Sequence, residues 1–214
     1  MVKSQLTLEE TKDMFIYVSK KIIESKDVLT KADQAIGDGD HGVGMARGFE
    51  AVLKKLDEQS FSSIGDLLSK IGMSLLTSIG GAAGAIFGTL FRGASKNLKE
   101  KVIFDAWTFS QLLLDGLEAV KERGKAKIGD KTMIDALEPS AIRVKELTSK
   151  SLNEVLSVAT EEAKLGMEKT KEMIATIGKA KTLGVRSLGH PDPGAISTYL
   201  IIKYMLEFVI KTEI

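Results

Sequence analysis

Apolar residues recur at intervals of three and four along most of the chain, the spacing that places them on one face of an α-helix. In the first such run, Phe15, Val18 and Ile22 follow Thr7 and Glu10, a pair with the spacing of a capping box at a helix N-terminus. Alternating apolar and polar positions, which indicate a β-strand, are almost absent. The pattern therefore predicts an all-α fold.

The periodic runs predict eight principal helices with short pieces between them. Polar residues that commonly cap helix N-termini precede several of the runs. These residues are Ser63, Asp105, Thr132 and Ser151. We expect the helix that starts near Thr132 to be interrupted at Pro139, because proline lacks a backbone N–H. The helix headed by Ser151 is expected to extend to about Thr176.

Two segments near the C-terminus depart from this pattern. Periodicity stops between residues 178 and 194, and long connections of this kind in compact domains are usually functional. Residues 195 to about 210 are apolar on most faces, which predicts a helix at the centre of the bundle. This stretch is too short to span a bilayer and contains Lys203 and Glu207. We expect a single domain over residues 1–214, folded as an antiparallel up-and-down bundle of eight helices.

Charge and composition exclude several classes of protein. The 30 basic and 29 acidic residues leave a net charge of +1, so we expect neither a nucleic-acid nor a membrane partner. The absence of cysteine excludes disulfides, thiolate metal sites and a thiol nucleophile. No apolar signal segment is visible in residues 1–12. These features predict a cytoplasmic protein.

A cluster of acidic residues and glycines lies between residues 33 and 47. Asp33, Asp38 and Asp40 fall within eight positions, and like charges this close oppose one another's ionisation unless a cation lies between them. Carboxylate oxygens suit a hard ion such as Mg²⁺. A helix is expected to begin at about Val43, and its N-terminal N–H groups would favour a phosphate nearby. The stretch therefore predicts a site for magnesium and phosphate.

The same stretch contains Gly-x-Gly-x-x-Gly, the pattern of dinucleotide-binding loops. It is formed by Gly37, Gly39 and Gly42. We disfavour that interpretation, because no buried strand precedes the glycines and the aspartates would repel a phosphate in the absence of metal. A polar turn that binds nothing stays open as an alternative.

Three further features are compatible with a binding site. Residues 124–132 nearly match a phosphate-binding P-loop, but Asp130 is inserted before Lys131, which moves the lysine off the phosphate position. A loop over a nucleotide base stays open there. The small residues at 80–84 would allow close approach of either a ligand or another helix. His41 and His190 both neighbour Asp and Gly, which suggests a polar site into which both loops project.

Four motifs together resemble a known family. They are Ala-Ile-Gly-Asp-Gly-Asp-His-Gly at 35–42, Gly-Gly-Ala-Ala-Gly at 80–84, Gly-Asp-Lys-Thr-Met-Ile-Asp-Ala-Leu at 129–137 and Gly-His-Pro-Asp-Pro-Gly-Ala at 189–195. In this order and spacing, over nearly the full chain, they resemble the nucleotide-binding L subunit of dihydroxyacetone kinase. The resemblance implies an eight-helix barrel-like bundle with ADP or ATP held at one end through two Mg²⁺ ions.

The resemblance also implies roles for individual residues. The metal ligands would be Asp33, Asp38 and Asp40. The nucleotide would contact His41, Gly42, Val43, Gly44, Ala82, Ala83, Gly124, Met133, Lys179, Asp192, Pro193 and Gly194. Lys179 and Arg186 would offset charge, and no general base is assigned. The chain departs from the family pattern at three places. Ala83 replaces a common Ser, and Lys179 replaces a common Arg and loses its bidentate fork. Residues 181–186 read Lys-Thr-Leu-Gly-Val-Arg where the family commonly has Ser-Tyr-Leu-Gly-Glu-Arg.

The family works in two modes. One is an ATP-using enzyme that carries the substrate-binding half on the same polypeptide, and the lack of such a half in this chain favours the other mode. In that mode, ADP stays bound, accepts a phosphoryl group from a phosphohistidine on the M subunit of the phosphotransferase system, and passes it to dihydroxyacetone on a separate K subunit. Because the chain contains no substrate-binding half, we expect it to need both partners. The alternatives are a subunit that exchanges ATP, a fatty acid kinase domain, and an adaptor that docks on a transcription regulator. A homodimer is left open.

Overall fold

The computed structural model of the chain describes residues 4–212. Most of these residues lie in nine α-helices. Their bounds are α1 Leu8–Glu24, α2 Lys26–Ile36, α3 His41–Glu58, α4 Ile64–Ser78, α5 Gly81–Ala94, α6 Ala106–Gly124, α7 Ile134–Val144, α8 Leu152–Lys169 and α9 Pro193–Lys211. Two short strands, β1 Gln5–Thr7 and β2 Ile103–Asp105, pair antiparallel with Leu6 opposite Phe104. Each strand leads directly into a helix.

Eight of the nine helices form a closed ring. Its order is α1, α3, α4, α5, α6, α7, α8 and α9, and α9 packs back against α1. The helices of the ring follow one another in the chain in the same order, and the connection between each pair reverses the direction of the chain. Neighbouring helices therefore run antiparallel. Helix α2 is not a member of the ring and packs on α3 and α9. The predicted all-α, eight-helix antiparallel bundle is confirmed, with α2 as an additional short helix.

The interior of the ring is filled by one cluster of buried apolar side chains. Its largest members are six phenylalanines from four helices and β2, each at most 1% exposed: Phe15, Phe49, Phe87, Phe91, Phe104 and Phe109. The rings of Phe15 and Phe91 meet edge to face with their centroids 5.9 Å apart. Burying one such side chain stabilises the fold by about 1.5–3 kcal/mol. The shared core therefore holds the helix ends at fixed positions.

Helix α9 takes a place in the ring, not at its centre as the sequence suggested. It lies between α8 and α1 and also contacts α7 and α2. These four neighbours account for its wide apolar surface. Among the residues described, α9 is the one helix long and apolar enough to cross a membrane, so the expectation that this stretch is too short is wrong. Of its most apolar 18 residues, 56% are buried inside the fold.

Helix α7 continues through Pro139, so the predicted interruption there is wrong. Pro139 has no N–H to donate to the carbonyl of Asp135 one turn earlier. That carbonyl instead faces Gly166 of α8, where an added Cβ would lie only 2.0 Å from the oxygen. Because Gly166 has no side chain, α7 and α8 can approach closely, and the backbone of α8 covers the Asp135 carbonyl that the proline leaves without a hydrogen bond.

The segment after α8 also differs from expectation. Helix α8 ends at Lys169 instead of about Thr176, and a 3₁₀ turn, Thr170–Glu172, follows it. The region expected to be irregular contains nine residues of 3₁₀ helix, Lys179–Ser187, which we call the 3₁₀ segment. The 3₁₀ segment is broken at Gly184, where φ is 54° and ψ is −127°. Short helices of this kind have weak periodicity, so the sequence pattern does not reveal them.

Replacing Gly166 by Ala should destabilise the fold. The new methyl group would overlap the Asp135 carbonyl, and overpacking of this kind costs about 1–3 kcal/mol, even though alanine is the better helix former. Urea and thermal unfolding would measure the loss. Lys164→Ala, at an exposed position of the same helix, is the matched control and should change little. A Gly166→Ala protein as stable as the unaltered chain would contradict the close approach of α7 and α8.

Candidate functional site

A cavity of about 610 Å³ opens at one end of the ring. Because neighbouring helices are antiparallel, α3, α5, α7 and α9 all begin at this end, and the first residues of each line the cavity. The backbone N–H groups of a helix's first turn lack partners within the helix and carry partial positive charge. The fold therefore presents an environment that favours an anion.

Three carboxylates gather on one side of this cavity. Asp33, on α2, is 9% exposed, whereas Asp38 and Asp40 lie exposed in the turn before α3. One oxygen from each residue lies within 4.8 Å of the other two. Asp40 stands at the N-cap of α3, but its side chain makes no capping hydrogen bond. The carboxylate of Asp40 is therefore available to a ligand. Three carboxylate oxygens placed this closely fit a hard divalent cation.

The turn that carries the aspartates depends on glycine at two positions. At Gly37, an added Cβ would lie 2.1 Å from Oδ1 of Asp33. Gly39 has a φ of +79°, in the left-handed region that other residues rarely adopt, and a Cβ there would approach Gln34. These glycines allow the backbone to fold back, so that Asp38 returns towards Asp33.

Lys179 supplies a positive charge at the aspartates. Its Nζ donates to the carboxylate of Asp38 and lies 3.5 Å from Oδ2 of Asp40. The hydrogen bond between Lys179 and Asp38 lowers the pKa of Asp38 and raises that of Lys179. The two residues are 141 positions apart in the sequence. The ammonium group thus offsets the charge that a metal ion would offset at the same oxygens.

A second anion-favouring feature is the start of α5. Gly80, with a φ of +83°, precedes the helix, and no side chain caps it. Ala82 and Ala83 follow in its first turn and line the cavity, so the small residues at 80–83 form part of the site wall, whereas Gly84 packs against Ile79. Arg47 lies beside them and donates from Nη2 to the carbonyl of Ile79 at 2.5 Å. Arg47 was not singled out from the sequence, although it ends the acidic stretch.

The opposite half of the cavity is apolar. Ile86, Val120 and Ile177 line it together with the predicted contacts Gly124 and Met133. These side chains come from α5, α6 and the loops before α7 and the 3₁₀ segment. An apolar slot beside an anion-favouring half matches the shape of a nucleotide, whose base is planar and whose phosphates are charged. Ile86 and Val120 were missed because they follow the same periodicity as core positions, and Ile177 because it lies in a loop outside the periodic runs.

His41 is a structural part of the site. Its Nε2 lies 2.8 Å from the hydroxyl of Ser197 on α9, and its backbone N–H donates to Oδ2 of Asp33 at 3.1 Å. Burial lowers its pKa, although the charges of Asp33 and Asp40 act the other way. The imidazole is therefore neutral at pH 7. His190, by contrast, is exposed and is not among the residues that line the cavity.

The first residues of α9 complete the wall. Asp192 caps this helix by accepting a hydrogen bond from the N–H of Ala195 at 2.8 Å. Burial, aided by the charge of Asp135, raises the pKa of Asp192 to about 7, while Lys131 opposes this shift. The carboxyl of Asp192 therefore keeps its proton to a higher pH than an exposed aspartate does.

Most of the residues predicted to bind nucleotide or metal line this one cavity. They are Asp33, Asp38, Asp40, His41, Val43, Gly44, Ala82, Ala83, Gly124, Met133, Lys179, Asp192, Pro193 and Gly194. Gly42 does not line it and packs on α2, where an added Cβ would lie 2.2 Å from the carbonyl of Lys26. Arg186 is exposed beyond the break at Gly184 and does not reach the lining.

Comparison with known proteins identifies relatives of similar length. The profile of the DAK2 domain matches residues 35–207. The chain is 39% identical over 190 residues to the ADP-binding subunit DhaL of a PEP-dependent dihydroxyacetone kinase of Listeria innocua, covering 88% of this chain and 90% of the relative. It is 34% identical over 206 residues to the ADP-binding subunit DhaL of the PTS-dependent dihydroxyacetone kinase of Lactococcus lactis, covering 95% and 99%.

A solved structure shares the fold. The dihydroxyacetone kinase from C. freundii, in complex with AMP-PNP and Mg²⁺, superposes with a TM-score of 0.70 at 26% identity. The match covers 92% of this chain and 33% of the kinase, so the chain spans about a third of that longer protein. With the domain profile matching 35–207 and full-length relatives above 30% identity, the chain belongs to the DAK2 domain family.

Proposed function

We propose that the chain is the ADP-binding subunit of a multi-subunit dihydroxyacetone kinase. Bound ADP would accept a phosphoryl group from a phosphohistidine on the M subunit of the phosphotransferase system and pass it to dihydroxyacetone on a separate K subunit. The observation that carries the proposal is the trio of carboxylates within 4.8 Å beside uncapped helix N-termini and an apolar slot. Relatives named as ADP-binding subunits support it.

The donor set fits magnesium. Asp33, Asp38 and Asp40 offer hard oxygen ligands, and the side chain of Asp40 is not used in capping α3. ADP at about −3 and the three aspartates at −3 would be met by +4 from two Mg²⁺ ions, which leaves about −2. Lys179, Arg47 and the helix N-termini would offset this remainder. When bound, magnesium supplies charge neutralisation at the phosphates.

The contribution of the protein is to bind and position the nucleotide. The first turns of α3 and α5 would receive the phosphates, with Lys179 beside them, and the apolar slot around Met133 would hold the base. Phosphoryl transfer depends mainly on alignment and charge neutralisation, so we assign no general base to this chain. His41, neutral and bonded to Ser197, is placed to hold α3 against α9.

A subunit that exchanges free ATP is the second candidate. The likeness to a longer kinase solved with AMP-PNP favours it, because that protein is a single chain about three times the length of this one. The two candidates differ in whether nucleotide leaves the site during turnover. In either case, we propose a cytoplasmic protein.

The purified protein should carry its cofactor. Denaturing the protein and analysing the supernatant by chromatography and metal determination should yield about one ADP and two Mg²⁺ per chain, as the charge count requires. The protein for this measurement would be purified from cells grown in medium that contains magnesium. A protein that is empty after purification and binds ATP weakly would favour the exchanging subunit.

Asp40→Asn should weaken nucleotide binding without affecting the fold. The change removes one metal-binding charge while keeping the side-chain shape, and a charge-assisted contact is worth about 1.5–3 kcal/mol, or roughly ten- to a hundredfold in affinity. Isothermal titration of nucleotide-stripped protein with ADP and Mg²⁺ would measure it. Asp57→Asn, exposed near the far end of α3, is the control and should bind as the unaltered chain does. Equal affinity in all three proteins would remove Asp40 from the proposed metal site.

The chain alone should not phosphorylate dihydroxyacetone from free ATP, because the proposal places the sugar site on another subunit. Formation of dihydroxyacetone phosphate would be measured with the chain alone, with a K subunit, and with both a K subunit and a phosphohistidine donor supplied by phosphoenolpyruvate. Activity is expected only with both partners. Activity of the chain with ATP and no other protein would refute the assignment of roles.

A further inference from the structure

Lys131 is a buried lysine on the cavity wall. Its side chain is 2% exposed, and its Nζ donates to the carbonyl oxygens of Thr170 at 2.5 Å and His190 at 2.6 Å. Its φ of 61° lies in the left-handed region, which a residue with a side chain adopts at an energetic cost. Although the sequence around Lys131 resembles a P-loop, its ammonium group is bonded to protein carbonyls.

The two acceptors belong to segments far from Lys131 in the sequence. Thr170 follows α8 directly, and His190 lies in the loop before α9. The hydroxyl of Thr170 also accepts a hydrogen bond from the backbone N–H of Asp192 at 2.9 Å and donates to Met167. Lys131 and Thr170 therefore connect the loop before α7 to the residues that begin α9.

The loop that carries Lys131 is itself held in place. Asp135 accepts from the N–H groups of Gly129 at 2.6 Å and Thr132 at 2.7 Å. Asp130 accepts from the hydroxyl of Thr176 at 2.6 Å, which attaches the loop to the segment before the 3₁₀ segment. Met133, on the apolar half of the cavity, comes two residues after Lys131. The position of Met133 relative to the start of α9 thus depends on these bonds.

We propose that Lys131 is a positioning residue for the base-binding half of the cavity. Its ammonium group joins the loop that carries Met133 to the carbonyls of Thr170 and His190, and the Thr170 hydroxyl in turn holds the backbone N–H of Asp192 at the start of α9. This inference rests on the proposed function, because it assumes that the base of a nucleotide occupies the apolar half. The aspartates and the start of α5 lie on segments to which Lys131 donates no hydrogen bond. Loss of the ammonium group should therefore weaken binding of the base and leave binding of the phosphates unchanged.

Lys131→Met tests this, because methionine keeps the approximate length of the side chain and removes its charge. Isothermal titration of nucleotide-stripped protein would compare ADP with inorganic diphosphate, each with Mg²⁺. ADP should bind about tenfold more weakly, as expected for loss of a charge-assisted contact, whereas diphosphate affinity should stay within about twofold. Lys127→Met makes the same change at an exposed position of the same loop and should alter neither affinity.

A second variant guards against misfolding of the first. Thr170→Val removes the hydroxyl that accepts a hydrogen bond from the N–H of Asp192 and leaves Lys131 intact. It should therefore also lower the affinity for ADP but not for diphosphate, by a smaller factor than Lys131→Met does. Circular dichroism would confirm folding of each variant. An equal loss of affinity for ADP and for diphosphate, or an unchanged affinity for ADP in the folded variants, would overturn the role of Lys131. Failure of the unaltered chain to bind ADP would overturn the proposed function, and this inference with it.

Discussion

Repulsion among three carboxylates at one end of the helix ring is the constraint on which the site depends. Asp33, Asp38 and Asp40 present oxygens within 4.8 Å of one another, an arrangement that requires positive charge close by. The ring provides it, since its antiparallel order brings the N-termini of α3, α5, α7 and α9 to that end. Lys179 adds a full charge from a distant segment. A fold with this arrangement is suited to metal ions and phosphates.

Helix ends and loops, more than helix faces, form the functional surface. The apolar faces of the eight ring helices are occupied by the core, which fixes where each helix ends. The loops at the cavity are then joined to one another by a small set of polar side chains, chiefly Lys131, Thr170 and Asp130.

Predictions from the sequence succeeded where the signal was local and failed where a distant neighbour decided the outcome. The capping boxes at Thr7 and Ser151 are both present, because they involve residues three positions apart. The interruption expected at Pro139 is absent, because Gly166 on another helix accommodates the free carbonyl. Likewise, an apolar helix was expected at the centre, but its partners place it in the ring.

The sequence by itself determined the all-α class and the cluster of aspartates, since eight consecutive positions with glycines at the turns suffice to bring carboxylates together. Only the tertiary structure decided which distant residues complete the site. Lys179 reaches Asp38 across 141 positions, and Ile86 lines the cavity where the same periodicity could equally have buried it in the core. Periodicity shows which face of a helix is apolar, but not whether that face meets another helix or a cavity, because that depends on how the ring closes.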